Sequence, residues 1–176
     1  MPWDLLRRIF GPLPVVTSLD AVRPGRSMLV GTVKADGDLV RSPLKGLSCV
    51  AYYYRASYDA QTRGQKLERV VKQAEVYAPR FALEMEGGTL AVVPAKPGSF
   101  DPAEHRRLTG SGMPGLRVVE QIIRPGDRVR IRGVVRVRDG RPAVSPAEIV
   151  ILGADEHGPR RPPRTAKRRR KDKGGR

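Results

Sequence analysis

The chain is 176 residues long, enough for one domain with a proper core and too short for two of ordinary size. Its formal charge is +16, from 34 Lys and Arg against 18 Asp and Glu, an imbalance that favours polyanionic partners and says nothing about fold. A lone cysteine, Cys49, excludes an internal disulfide framework and a cysteine-rich metal site, and no run approaches the roughly 20 apolar residues of a membrane-spanning helix.

At the N-terminus Trp3, Leu6 and Phe10 fall at i, i+3 and i+7, with Leu5 and Ile9 beside them and Arg7 and Arg8 on the flank. That spacing predicts a short amphipathic helix, which Gly11 and Pro12 stop. Two to three turns are marginal alone in water, so the helix needs a surface to dock on. The surface is either the protein's own β domain or a membrane interface, where Trp and Phe insert and arginines meet head groups. The apolar run is too short for a signal peptide and lacks a small-residue cleavage site. A reducing, cytoplasmic location is expected, or a peripheral one on the inner face of the membrane, and the Arg, Gly, Pro, Val and Ala usage matches a GC-rich bacterial genome.

Residues 1–24 are thus expected as helix and linker, 25–153 as a β domain and 154–176 as a tail. Ser27 to Val33 is a strand, Asp36-Gly37 a hairpin-type turn and Asp38 to Arg41 the return, ending at Ser42-Pro43. Cys49 to Tyr58 is aromatic-rich and strand-like; Lys66 to Glu75 reads as a strand because Val70 and Val71 are β-branched. Phe81 to Met85 and Thr89 to Val93 pair around Glu86-Gly87-Gly88. Asp101 as N-cap, Pro102 at the first helical position and Glu104 as a capping-box acid predict a short helix through Leu108, followed by the loop TGSGMPG. Arg117 to Ile123 is a strand, Pro125-Gly126-Asp127 a turn, and Val129 to Arg138 with Ala143 to Leu152 the last hairpin.

Within that hairpin Arg128, Arg130, Arg132, Arg136 and Arg138 alternate with Val129, Ile131, Val135 and Val137. Successive strand side chains point to opposite faces, so the aliphatics are expected inside and the arginines in one outer row. Two phrases, GTVKADGDLVRSP and GVVRVRDGRPAVSP, read as a hairpin used twice. Beyond Gly153 the chain has no apolar periodicity; 158–176 carries ten Lys or Arg and one Asp, the composition of a disordered basic tail. Its cluster Lys167, Arg168, Arg169, Arg170 and Lys171 is either a polyanion contact or a solubilising segment.

Gly31, Ser42, Pro43, Gly46, Cys49, Tyr52, Phe81, Gly87, Glu120, Pro125, Gly126, Asp127 and Gly133 stand in an order and spacing that resemble the GIDE domain. That domain is the membrane-adjacent β module of Mulan-type E3 ubiquitin ligases and of related bacterial and archaeal proteins. The resemblance spans about Ser27 to Leu152 and implies a compact antiparallel, barrel-like domain with OB-fold character, used for contacts. The RING of the ligases needs clustered Cys and His and has no counterpart in a chain with one Cys and two distant His, so ligase activity is not implied. The family's transmembrane helices have no counterpart either.

The residues that could carry chemistry read as structural. Cys49 lies in an apolar strand with no base at catalytic spacing, and a small buried hydrophobe is the plainer reading. His105 and His157 belong to no ligand cluster and are expected to be solvated. Ser42-Pro43 and Ser145-Pro146 fit turn chemistry better than an activated nucleophile. The glycine loop 109–115 lacks the Lys-Ser/Thr and the following helix of a phosphate loop. Neither catalytic residues, cofactor, metal nor small-molecule substrate is expected. The expected function is a non-catalytic scaffold held by its basic tail on an anionic membrane or polyanion, with a protein partner also compatible. The alternative is an OB-type nucleic-acid binder, in which an outward Tyr53 near the Arg128 to Arg138 row would supply base stacking.

Overall fold

A computed structural model describes residues 13–62 and 65–153. The segment expected as an N-terminal helix, with Trp3, Leu6 and Phe10, together with His157 and the tail cluster from Lys167 to Lys171, lies outside the described residues. The strands are β1 (Val15–Val16), β2 (Gly25–Ala35), β3 (Val40–Arg41), β4 (Ser48–Cys49), β5 (Ala51–Thr62), β6 (Gln65–Tyr77), β7 (Phe81–Met85), β8 (Gly88–Val92), β9 (Arg117–Ile123), β10 (Arg128–Arg138) and β11 (Arg141–Ile151). One α-helix, α1 (Pro102–Gly110), is present among the described residues, with a 3-10 turn at Leu19–Ala21.

Five strands close into a barrel. β10 lies between β2 and β11, β11 pairs with β8, β8 with β7, and β7 returns to β2. Numbered one to five along the chain, the barrel strands neighbour each other in the order 1-2-3-5-4-1, with the single parallel contact between the third and the fifth. This is the OB-fold arrangement, which removes free sheet edges by closure. The alternation in the sequence produces the interior. Leu29, Val33, Phe81, Leu83, Leu90, Val92, Val129, Ile131 and Val144 are fully buried, and Val135 is all but buried. Burying each such side chain contributes about 1.5–3 kcal/mol.

Two glycines let the barrel close. A Cβ on Gly31 would lie 2.4 Å from the Glu84 carbonyl oxygen and 2.8 Å from Leu83 Cγ, and one on Gly133 would lie 2.4 Å from the Ser145 carbonyl oxygen. Both mark places where neighbouring backbone comes too close for any side chain. At the far end of β10, Asp139 and Gly140 both have positive φ, 51° and 74°, and form the two-residue turn that opposes Arg138 to Arg141.

The expected first hairpin, 31–43, does not form. Both edges of β2 are taken: β10 pairs with residues 25–32 on one side, while β1 and β7 pair on the other. No ladder is left for a returning strand, so β3 crosses away to pair with β4. The two repeated phrases therefore have different structures, and Ser145-Pro146 lies inside β11 beside a bulge, instead of ending the hairpin. The segment expected as linker is stitched to the barrel by Leu19 N donating to Glu86 O at 2.8 Å and Glu86 N donating to Thr17 O at 3.1 Å.

A second layer is built from β6, β5 and β9. The 66–75 segment is a strand because it pairs with β5 along its length. One face of this sheet buries Tyr52, Tyr54, Ala56 and Val76 against Phe100, Leu108 and Leu116, with Cys49 at the end of the cluster. α1 starts where the capping residues predict: Asp101 Oδ1 accepts from Ala103 N at 2.8 Å. Glu104 does not close a capping box; it reaches Lys72 Nζ at 2.9 Å and ties the helix to β6. The helix also runs through Thr109 and Gly110, which the sequence places in the loop.

Candidate functional site

The sequence points to the outer face of β10. Alternate residues of a strand are about 6.8 Å apart, and Arg128, Arg130, Arg132, Arg136 and Arg138 all stand exposed in one line. Val134 takes the fourth of the six places in that row. The register sets the neighbours: Thr32, Val30 and Met28 on β2 lie opposite Arg128, Arg130 and Arg132, and Val150, Glu148 and Arg141 on β11 lie opposite Arg130, Arg132 and Arg138. Val30, Met28 and Val150 give the cations apolar surface on which their stems can lie while the guanidinium groups stay in water.

Charge balance on this face is poor. Arg132 Nη2 meets Glu148 Oε2 at 3.2 Å, the one ion pair that a residue of the row makes among the described residues. Cations spaced closer than the Debye length of about 10 Å at 0.1 M salt repel one another, so a multivalent anion laid along the row relieves that repulsion. The expectation that the inward aliphatics include Val137 is corrected: Val137 is 58% exposed. It has the inward parity of Val135, but the β10–β11 hairpin overshoots the barrel there and nothing covers it.

The other candidate groups serve the fold. Cys49 is fully buried, and burial pushes its thiol up to about 11, with the negative charge of Glu120 adding to the effect. A protonated thiol without solvent access is inert. Ser42 is buried; its Oγ accepts from Leu47 N at 3.2 Å. Glu120 Oε1 and Oε2 accept from Leu44 N and Lys45 N at 3.0 and 3.1 Å and clamp the same loop. Pro125-Gly126-Asp127 is the expected turn, with Asp127 Oδ2 accepting from Arg124 N at 2.7 Å and Gly126 N donating to Val33 O at 2.8 Å.

His105 is not the solvated side chain expected. Its Nδ1 is hydrogen-bonded to the Tyr54 hydroxyl at 3.0 Å, because α1 turns that face onto the second sheet. Among the described residues no group of three His, Cys, Asp or Glu could hold a metal ion, and no helix is long and apolar enough to cross a membrane.

Tyr53 comes near the arginine row at one place, Glu148, the ion-pair partner of Arg132. It borders a cleft between β5 and β11, where its surroundings are Glu75, Tyr77, Gln121 and Glu148. The sequence holds no signal for this cleft, since its residues come from four strands brought together only by the docking of the second sheet on the barrel. No protein-family model, curated protein or solved structure matches this chain. What the surface can do therefore follows from its own chemistry.

Proposed function

We propose that the protein is a non-catalytic interaction module, similar to a GIDE domain in the order of its motif residues, that lies on an anionic membrane surface through the arginine face of β10. One observation carries this reading: five arginines in a single exposed row, with one acidic partner among them. The row is long and exposed, which suits an extended layer of head-group phosphates. The basic segment 158–176 adds to the same attraction.

A second reading, nucleic-acid binding, is favoured by the barrel's strand order and by Arg136, Arg138 and Arg141 around the β10–β11 turn, a position that OB-folds use for oligonucleotides. Against it, the outer face of β7 and β8 presents Ala82, Glu84, Thr89 and Ala91, which offer neither cations nor stacking rings.

The test compares vesicles of phosphatidylserine in phosphatidylcholine with single-stranded and duplex DNA. The proteins are the full chain, a chain lacking 158–176, and the latter with Arg128, Arg130 and Arg136 changed to Gln. A basic residue near an anionic leaflet contributes about 1 kcal/mol, so the triple change should weaken vesicle binding on the order of 100-fold. Complete loss on removing the tail alone, with the triple change then without effect, would refute the arginine face. Binding of DNA but not of vesicles would establish the second reading.

A further inference from the structure

The cleft between the second sheet and the barrel has a composition opposite to the rest of the molecule. Strand register brings its walls together: Tyr53 is paired with Glu75 on β6 and with Gln121 on β9, and Tyr77 lies opposite Ala51 at the base of the same face. From the other side β11 contributes Ala147, Glu148 and Ile149. The β11 bulge falls here: Arg132 faces Glu148 and Gly133 faces Pro146, leaving Ala147 without a partner in that ladder. Consecutive residues therefore border the cleft, an effect of the extra residue and of the twist it adds.

Two carboxylates, one amide and two tyrosine rings line this space, and no Lys, Arg or His does, in a chain of net charge +16. The Tyr77 hydroxyl donates to Glu75 Oε2 at 3.4 Å. Burial, followed by the charge of Glu75, pushes that phenol up to about 12, so it stays neutral and keeps its electron-rich ring. The floor is apolar, with Ile123 and Ile149. The volume is about 250 Å³, below the several hundred of drug-sized sites and sufficient for one long side chain.

We infer that this cleft binds a guanidinium or ammonium group on an apolar stem, the chemistry of an arginine or lysine side chain. The stem lies on Ile149 and the ring of Tyr53, the charge faces Glu75 and Glu148, and Gln121 completes the polar rim. Ring and carboxylate act in the same direction, because a cation is attracted both to the π face and to the acid. Arg132 already holds Glu148 from the barrel side, so a bound cation shares that carboxylate. The inference is independent of the reading of the arginine face.

The test titrates the isotope-labelled full chain with N-acetylarginine amide and with N-acetylcitrulline amide, its uncharged isostere, followed by amide chemical shifts. Saturable shifts at Tyr53, Gln121 and Ile149 with the arginine compound and not with the citrulline compound are expected. Glu75→Gln should weaken that binding about 10-fold, as loss of a charged hydrogen-bond partner does, and Tyr53→Leu about 3-fold or more through the lost ring. Unchanged shifts away from the cleft show that the variants remain folded. Equal responses to both compounds, no shifts at millimolar ligand, or full affinity in Glu75→Gln would each overturn the proposal. A capped Gly-Arg-Gly peptide and free arginine then separate the two sources: tighter binding of the peptide identifies a protein side chain, and tighter binding of the free amino acid a small metabolite.

Discussion

Nδ1 of His105 lies 3.0 Å from the hydroxyl of Tyr54, with the two rings edge to face and their centroids 5.7 Å apart. Tyr54 is fully buried in the second sheet and its ring also meets Phe100, at 4.5 Å between centroids. This contact holds a helix of nine residues, too short to persist alone, against the strands that carry the cleft.

The two residues should act as a coupled pair, so that their single changes are not additive. His105→Ala leaves a buried hydroxyl without its partner and should destabilise by about 1–3 kcal/mol; Tyr54→Phe should cost about 1 kcal/mol. The double variant should cost less than the sum, with a coupling on the order of 1 kcal/mol in urea unfolding. Additive single costs would show that the two residues act independently.

The glycines of the barrel should separate sharply from a glycine of the same type elsewhere. Gly31→Ala and Gly133→Ala place a methyl group 2.4 Å from a neighbouring carbonyl oxygen, so each should lower stability by about 1–3 kcal/mol through overpacking. Gly110→Ala meets nothing within 4 Å at the end of α1 and should be neutral or stabilise by about 0.5–1 kcal/mol. Thermal midpoints check the contrast, and a tolerated Gly31→Ala would mean that the barrel is looser than described.

Alkaline pH should weaken the fold before it ionises these groups in place. Burial raises Cys49 from 9.0 to about 11, and raises Tyr52 and Tyr77 from 10.0 to about 12. Between pH 9 and 12 the folded state therefore holds protons that the unfolded state has released, and stability falls as pH rises. Below pH 9 these groups contribute no slope. For Cys49 the slope is about 1.4 kcal/mol per pH unit between its two values. Cys49→Ala should flatten the urea-midpoint profile between pH 9 and 11; a profile parallel to that of the unaltered chain would contradict the burial argument.

Much of the architecture was legible along the chain because it depends on local rules. Period-two alternation marked Phe81 to Met85, Arg117 to Ile123 and Val129 to Arg138 as strands, Asp101-Pro102 marked the start of the helix, and the arginine row followed from parity alone. Parity fails where an element outruns its support, so Val137 shares the phase of Val135 and still faces water. Turn residues fail similarly: Asp36-Gly37 only bends the chain, and whether the following segment pairs depends on edges that distant strands have already occupied.

What the sequence by itself determined is the period of each strand, the outward line of arginines and the charge that line carries. Which strands share a ladder, that they close into a barrel, that His105 reaches Tyr54, and that Tyr53, Glu75 and Glu148 surround one cleft were decided only by tertiary structure. The physical reason is that alternation sets the face of a side chain within its own strand, whereas a site between sheets depends on pairings across tens of residues, which closure and burial select together.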